Sequence, residues 1–249
     1  MISTILREDR DECAVLTLNR PDKLNGLTVT MFEELKAQID EIAGRPDAVR
    51  CVVLRGAGAC FSTGHDMGDL TSGERLPHPN FQARVIESLA NLPQPVIAAV
   101  HGYCYTGALE LALAADFILA AQSARFADTH ARWALSPIWG LSQRLPRRVG
   151  QAKALEMMYT CTPISGADAV PIGLANQCFP DAEFDTAIEA FIRRIVANSG
   201  FSQRACKRLL HETDGLPLQA GLAHEIYAGA GRGPEMADRI AAFETAKRK

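Results

Sequence analysis

Short apolar runs and helical stripes alternate over the first two thirds of the chain, and helical segments dominate after about residue 145. Residues 2–7 and 13–18 read as a hairpin, with Cys13, Val15, Leu16 and Leu18 apolar and Asp9-Arg10-Asp11 as the turn. Met31, Leu35, Ile39 and Ile42 recur at helical spacing. Thr30 and Glu33 can open that helix as a capping box, and Gly44 and Pro46 can stop it. Cys51-Val52-Val53-Leu54 reads as a buried strand, followed by a loop of small residues over 56–73 and a mobile polar stretch over 74–80. Phe81, Val85, Leu89 and Leu92 predict a helix that Pro93 closes. Pro95 to Val100 is a second buried run, His101-Gly102-Tyr103 a turn, and Gly107 to about Ala115 an Ala/Leu-rich helix. Further on, 151–160, 183–198, 202–212, 216–228 and 235–246 read as helices and 174–179 as a short strand.

Alternating strands and helices followed by a helical layer argue an α/β protein whose last helices form a cap or an oligomer surface. The 249 residues are 47% hydrophobic and 22% charged, which suits one large domain or a core with a small appendage. A net charge of −3 with both signs scattered gives no footprint for nucleic acid or an anionic membrane. No apolar run approaches a membrane span and no signal peptide is visible, so no membrane partner is expected. The 7 cysteines are odd in number and form no CxxC pair, which points to a reduced, cytoplasmic protein.

Common cofactor motifs are missing. The run Arg55-Gly56-Ala57-Gly58-Ala59 imitates a dinucleotide fingerprint but lacks its third glycine. No glycine precedes Lys-Ser/Thr, no HExxH or zinc-like Cys/His spacing occurs, and Ser62 lacks the GxSxG elbow. Neither a metal nor a resident cofactor is expected. Glu110, by contrast, stands among Ala108, Leu109, Leu111, Ala112 and Leu113. A carboxylate buried in such company is costly unless it is paired or working, and its place in the first helical turn offsets part of the cost.

The stretch PVIAAVHGYCYTGALELALAADF, continued by FADTHARWALSPIWGLSQRL, resembles the signature of the enoyl-CoA hydratase/isomerase (crotonase) superfamily. LNRPDKLNGLT near the start and GACFSTGHDMGDL in the middle extend the likeness in order over nearly the whole chain. The resemblance implies a spiral of ββα units over residues 1–195, with helices over 196–249 that close the pocket and pack around a trimer axis. A homotrimer or a dimer of trimers follows from it, with an acyl-CoA thioester as substrate and coenzyme A entering as part of that substrate.

Carried over by position, the resemblance implies an oxyanion hole made by the backbone amides of His65 and Gly107. It implies that Glu110 activates a water. It also implies contacts to the coenzyme from Lys23, Leu24 and the loop containing Asp66 and Met67, with Lys23 and Lys207 able to meet phosphates as point charges. Trp139 and Ile138 stand where the family has small residues and should narrow the acyl pocket. The main departure is His130, which occupies the place of the second family glutamate. Three readings stay open: a substitute acid, a hydrogen-bonding pocket residue, or plain packing. Asp128 lies on the same side as His130 if 126–130 is extended, and could orient the imidazole or act itself. The activity implied is hydration of an enoyl-CoA. Isomerase, hydrolase, C–C lyase or decarboxylase chemistry is the alternative, and a non-catalytic acyl-CoA carrier is the rival from another class.

Overall fold

The hairpin forms as β1 (Ile5–Arg10) and β2 (Cys13–Leu18), but its turn lies at Asp11 and Glu12, past the Asp9-Arg10-Asp11 anticipated from sequence. Both turn residues take positive φ, 49° and 60°, the backbone twist a two-residue hairpin loop needs. The computed structural model describes residues 3–247, so position 2 of the anticipated strand lies outside the described residues.

β2 then pairs in parallel with β3 (Cys51–Gly56), β3 with β4 (Val96–Val100), and β4 with the strand at Phe117–Ala121. The six-stranded sheet ends on the strand at Gln177–Phe179, again parallel. Side chains alternate between two cores. Leu16, Val52, Leu54, Val96 and Ala98 join the larger cluster with Phe32, Leu35, Val85 and Leu89. Val15, Val53, Ile97 and Leu119 join a second cluster with Phe184, Ile188 and Ile192. A sheet buried on both faces needs apolar residues at every position, so its strands read as unbroken runs and not as alternation.

The first cluster is covered by α1 (Val29–Ala43) and, after a short α2 (Met67–Ser72) inside the anticipated loop, by α3 (Phe81–Ala90). Thr28, not Thr30, caps α1: its side chain accepts from the Met31 amide at 3.2 Å, so the Thr30/Glu33 box is not used.

A second, small sheet generates the spiral. β5 (Tyr103–Tyr105) follows β4 after the turn and leads into α4 (Gly107–Ala112). The next turn of the spiral repeats this with β6, the Phe117–Ala121 strand, and β7 (Arg125–Ala127), which pairs in parallel with β5. The preceding turn is marked by a parallel bridge between Ser62 and Cys104. Beyond β7 the chain forms a 3-10 turn at His130–Trp133, then α5 (Leu141–Val149), α6 (Gln151–Thr160), β8 (Ile164–Ser165), which closes the small sheet, α7 (Gly166–Ala169) and β9 at Gln177–Phe179. This is the ββα spiral that the resemblance implies.

α8 (Phe184–Val196) seats Phe184, Ile188 and Ile192 on the second face of the sheet. α9 (Gly200–Thr213), α10 (Leu218–Ala228) and α11 (Met236–Lys247) contain no buried residue, and Leu210, Leu218, Ile226, Tyr227 and Phe243 are exposed. No helix among the described residues is long and apolar enough to cross a membrane.

Candidate active site

The site is built where α4 starts, and the backbone just before it is strained. Thr106 takes φ 51° and ψ −110°, an outlier for a β-branched residue. Its amide donates to the Ala127 carbonyl at 2.8 Å, and its hydroxyl lies 2.5 Å from that of Thr129 and accepts from the Thr129 amide at 3.1 Å. These bonds fix the start of α4 against the end of β7. They thereby fix Glu110 relative to His130.

Glu110 is only 1% exposed. Its Oε1 accepts from the main-chain amides of Trp139 at 2.9 Å and Leu141 at 3.1 Å, so the chain entering α5 wraps the carboxylate. Its Oε2 lies 3.8 Å from Nε2 of His130. Burial pushes the carboxyl above the ordinary glutamate range, against the pull of the two amides and the imidazole.

Behind His130 sits Asp128, also 1% exposed. One oxygen, Oδ1, accepts from the His130 amide at 3.1 Å and lies 2.6 Å from Nδ1 of the ring. The two residues are paired as anticipated, but by a turn and not by strand alternation, because extended backbone ends at Ala127. An ionised carboxylate can only accept, so Nδ1 carries a proton.

The amides of His65 and Gly107 come together from separate parts of the chain. A parallel bridge between Leu27 and His65 uses the Gly64 carbonyl and the Asp66 amide, which turns the His65 amide the other way. A Cβ built on Gly107 would lie 3.3 Å from the His65 nitrogen, and one on Gly64 would lie 3.1 Å from the Gly107 nitrogen. Neither amide donates to a protein group among the described residues. Buried Asn25 and Ser62 hold the His65 strand: Ser62 Oγ donates to the Asn25 carbonyl at 2.7 Å and accepts from the Gly64 amide at 3.0 Å.

A cavity of about 190 Å³ opens onto these groups, lined by His65, Gly107, Glu110, His130, Trp133 and Trp139 among others. The Trp139 ring lies 4.9 Å from the His65 ring and 5.1 Å from Phe32. It covers the Gly107 α-carbon, where a Cβ would meet its Cζ3 at 2.6 Å. A neighbouring cavity of about 420 Å³ carries Lys23, Asp66, Met67, Tyr105 and Arg132, and shares His65 and Trp133 with the first.

Two coenzyme candidates are placed differently from expectation. Lys207 is spent on structure: its Nζ binds Asp116 Oδ2 at 2.8 Å and the Gln94 carbonyl at 3.1 Å, and its side chain is 10% exposed. Leu24 lines neither cavity; its carbonyl accepts from the Thr63 amide at 3.1 Å. Asp66 pairs with Arg20 at 2.9 Å and caps α2. Burial raises its carboxyl, but the Arg20 bond and the helix amides outweigh that and hold it below the usual range.

A family model described as enoyl-CoA hydratase/isomerase matches residues 8–228. The chain belongs to the enoyl-CoA hydratase/isomerase family. Among its relatives is a Rhodobacter capsulatus protein named "Probable enoyl-CoA hydratase", 31% identical over 96% of this chain and 94% of its own. Another is the 1,2-epoxyphenylacetyl-CoA isomerase of Escherichia coli, 30% identical over 98% of this chain and 96% of its own. The crystal structure of an enoyl-CoA hydratase from Bacillus anthracis superposes with a TM-score of 0.90, at 29% identity over 98% of this chain and 96% of that one.

Within this family member, two features of the site escape the sequence reading. The Thr106–Thr129 link leaves no periodic trace. Glu74 falls in the polar stretch over 74–80, yet its carboxylate faces the cavity beside Glu110, held by His65 Nε2 at 2.5 Å and Gln82 Nε2 at 2.9 Å. Among the seven residues of that stretch it carries no mark of its own.

Proposed function

We propose that the protein is an enoyl-CoA hydratase that adds water across the double bond of a trans-2-enoyl thioester. The observation that carries this reading is the meeting of Glu110 and His130, 3.8 Å apart, beside the paired amides of residues 65 and 107. In this reading a water bound to both groups loses a proton to Glu110, and its oxygen adds to the β-carbon. The thioester becomes an enolate whose oxygen accepts from the two amides, each worth about 10² to 10³ in kcat. The imidazolium of His130, oriented by Asp128, delivers a proton to the α-carbon. Glu110 then returns its proton to solvent and His130 regains one. The sum is addition of one water, and the steps invoke no resident cofactor. The coenzyme would lie in the larger cavity, with Lys23 as the point charge for its phosphates.

The test is to supply crotonyl-CoA in ¹⁸O-labelled water. The expected product is 3-hydroxybutyryl-CoA with label on the C3 oxygen. Recovery of a shifted double bond, of free acid, or of unchanged thioester bound without turnover would replace the hydratase by an isomerase, a hydrolase or a carrier, respectively.

The exposed apolar side chains of α9 to α11 support a homotrimer or a dimer of trimers, with residues 196–249 as the oligomerising and pocket-closing region of a 1–195 core. Leu218, Ile226 and Tyr227 are 74%, 75% and 89% exposed on one helix, apolar surface that a partner subunit would cover. Sedimentation equilibrium is expected to give three or six protomers; a monomer would end this reading. Seven free cysteines fit a reducing compartment, the cytoplasm.

A further inference from the structure

The acyl cavity contains an ionisable pair that hydration does not use. The reaction proposed above engages His65 only through its main-chain amide, yet its imidazole faces the same cavity as Glu110 and His130. Both side chains of the pair are mostly out of water, His65 at 17% and Glu74 at 14% exposure. Around them stand Met67, Leu70, Leu135, Ile138 and Trp139. Taking two such groups into apolar surroundings is costly, and a tighter hydrophobic wall would be cheaper to fold. The pair therefore calls for a ligand that uses it.

Its hydrogen-bonding state narrows that ligand. Glu74 accepts at both oxygens, from His65 and from Gln82, so His65 Nε2 carries a proton. Nδ1 has no protein partner among the described residues. The Trp139 ring packs beside the imidazole, tilted by 35° with ring centroids 4.9 Å apart. An anionic acyl group is disfavoured here, because Glu74, Glu110 and Asp128 already outnumber the imidazoles of His65 and His130. A hydroxyl suits Nδ1 in either state of the ring, donating to the neutral imidazole or accepting from the cation. Its distance along the acyl chain is short: the amide that would receive the thioester oxygen and the imidazole belong to the same residue.

We propose that His65, held by Glu74, is a specificity-determining residue that selects acyl-CoA thioesters bearing a hydroxyl two or three carbons beyond the α-carbon. The inference rests on the acyl-thioester reading of the site but not on hydration, so it is tested by binding. Calorimetry with the full chain compares 5-hydroxypentanoyl-CoA with hexanoyl-CoA, and 4-hydroxybutanoyl-CoA with pentanoyl-CoA. In each pair a hydroxyl replaces a methyl at equal length, and neither member can be hydrated. In at least one pair the hydroxyl form is expected to bind about tenfold more tightly, the upper end of what one net hydrogen bond contributes. His65→Phe keeps a ring against Trp139 and removes Nδ1, and should bring the ratio to one or below. Glu74→Leu, which frees the ring without altering residue 65, should shrink it several-fold and serves if the first variant does not fold. Equal binding within both wild-type pairs, or a ratio that survives in the soluble variants, overturns the proposal. A purely structural pair would weaken both ligands alike and leave the ratio unmoved. Tight binding of all four thioesters with no turnover of crotonyl-CoA would instead sink the hydratase and leave this ratio to decide the role of His65.

Discussion

Replacing Glu110 with glutamine is expected to lower kcat for crotonyl-CoA by about 10³ and, at the same time, to raise the thermal midpoint at neutral pH. The first effect follows from losing the group that takes the water's proton in this mechanism; a positioned acid or base is worth about 10² to 10⁴. Glutamine keeps an oxygen for the Trp139 and Leu141 amides, which bind one carboxylate oxygen at 2.9 and 3.1 Å, so the loop entering α5 should stay in place. The second effect follows from linkage. Burial raises the Glu110 pKa in the folded protein above its unfolded value. The protonated form is therefore the one the fold prefers, and stability is lost as pH rises through the raised folded value. At neutral pH the wild type bears that penalty and the glutamine variant does not, so its midpoint should be higher by about 2 °C or more. The gap should close as pH falls below the ordinary glutamate range, where both side chains are neutral. The wild-type rate should share this origin, with an acidic limb at higher pH than an ordinary carboxylate would give. His130→Gln is expected to cost less, about 10- to 100-fold, because Glu110 remains to shuttle the proton. Full turnover in the Glu110 variant would remove the base from the mechanism. A lowered midpoint would show the carboxylate to be a structural ion.

The same burial decided what could be read from sequence. β3 and β4 were legible because both faces of the main sheet are covered, which makes 51–54 and 96–100 unbroken apolar runs. β6 was not legible. Phe117–Ala121 follows the Ala/Leu-rich α4 with no glycine or proline between, and composition flows from helix into strand across Asp116. The break is tertiary: Asp116 turns its carboxylate to the Val96 amide at 2.7 Å and to Lys207 at 2.8 Å. α5 was hidden for a different reason, since it contains Pro146 and three arginines that break any apolar stripe. Its arginines are tied down by Glu87, Asp214 and the carbonyl of Ala115. Within the site, Glu110 was conspicuous as one charge in an apolar helix. The His65 and Gly107 amides were not, because a main-chain donor leaves no side chain to find; only the family resemblance located them. His130 was visible as a departure, and its partner Asp128 was found for a geometric reason that proved different from the real one.

Those two amides carry the second large effect. Gly64→Ala should reduce kcat/KM for crotonyl-CoA by about 10² to 10³, the loss expected when one donor to a developing oxyanion is removed. Gly64 has φ +94°, and a Cβ there would stand 2.5 Å from the Tyr105 carbonyl oxygen and 3.1 Å from the Gly107 nitrogen. The first obstacle is backbone in β5, fixed by its pairing with β7, so it cannot swing aside as a side chain would. Relief must come from the strand at residues 62–65, which moves the His65 amide away from Gly107. A left-handed alanine also costs about 1–2 kcal/mol by itself, which must be separated from the clash. Gly215→Ala supplies that separation, because Gly215 has φ +76° with nothing within 4 Å of its Cβ. Both variants should lose stability from the positive φ, and Gly64→Ala should lose more from the contact. Only Gly64→Ala should lose rate. Equal activity in the two variants would mean that the His65 amide can shift without consequence, and the oxyanion would then have to be held elsewhere.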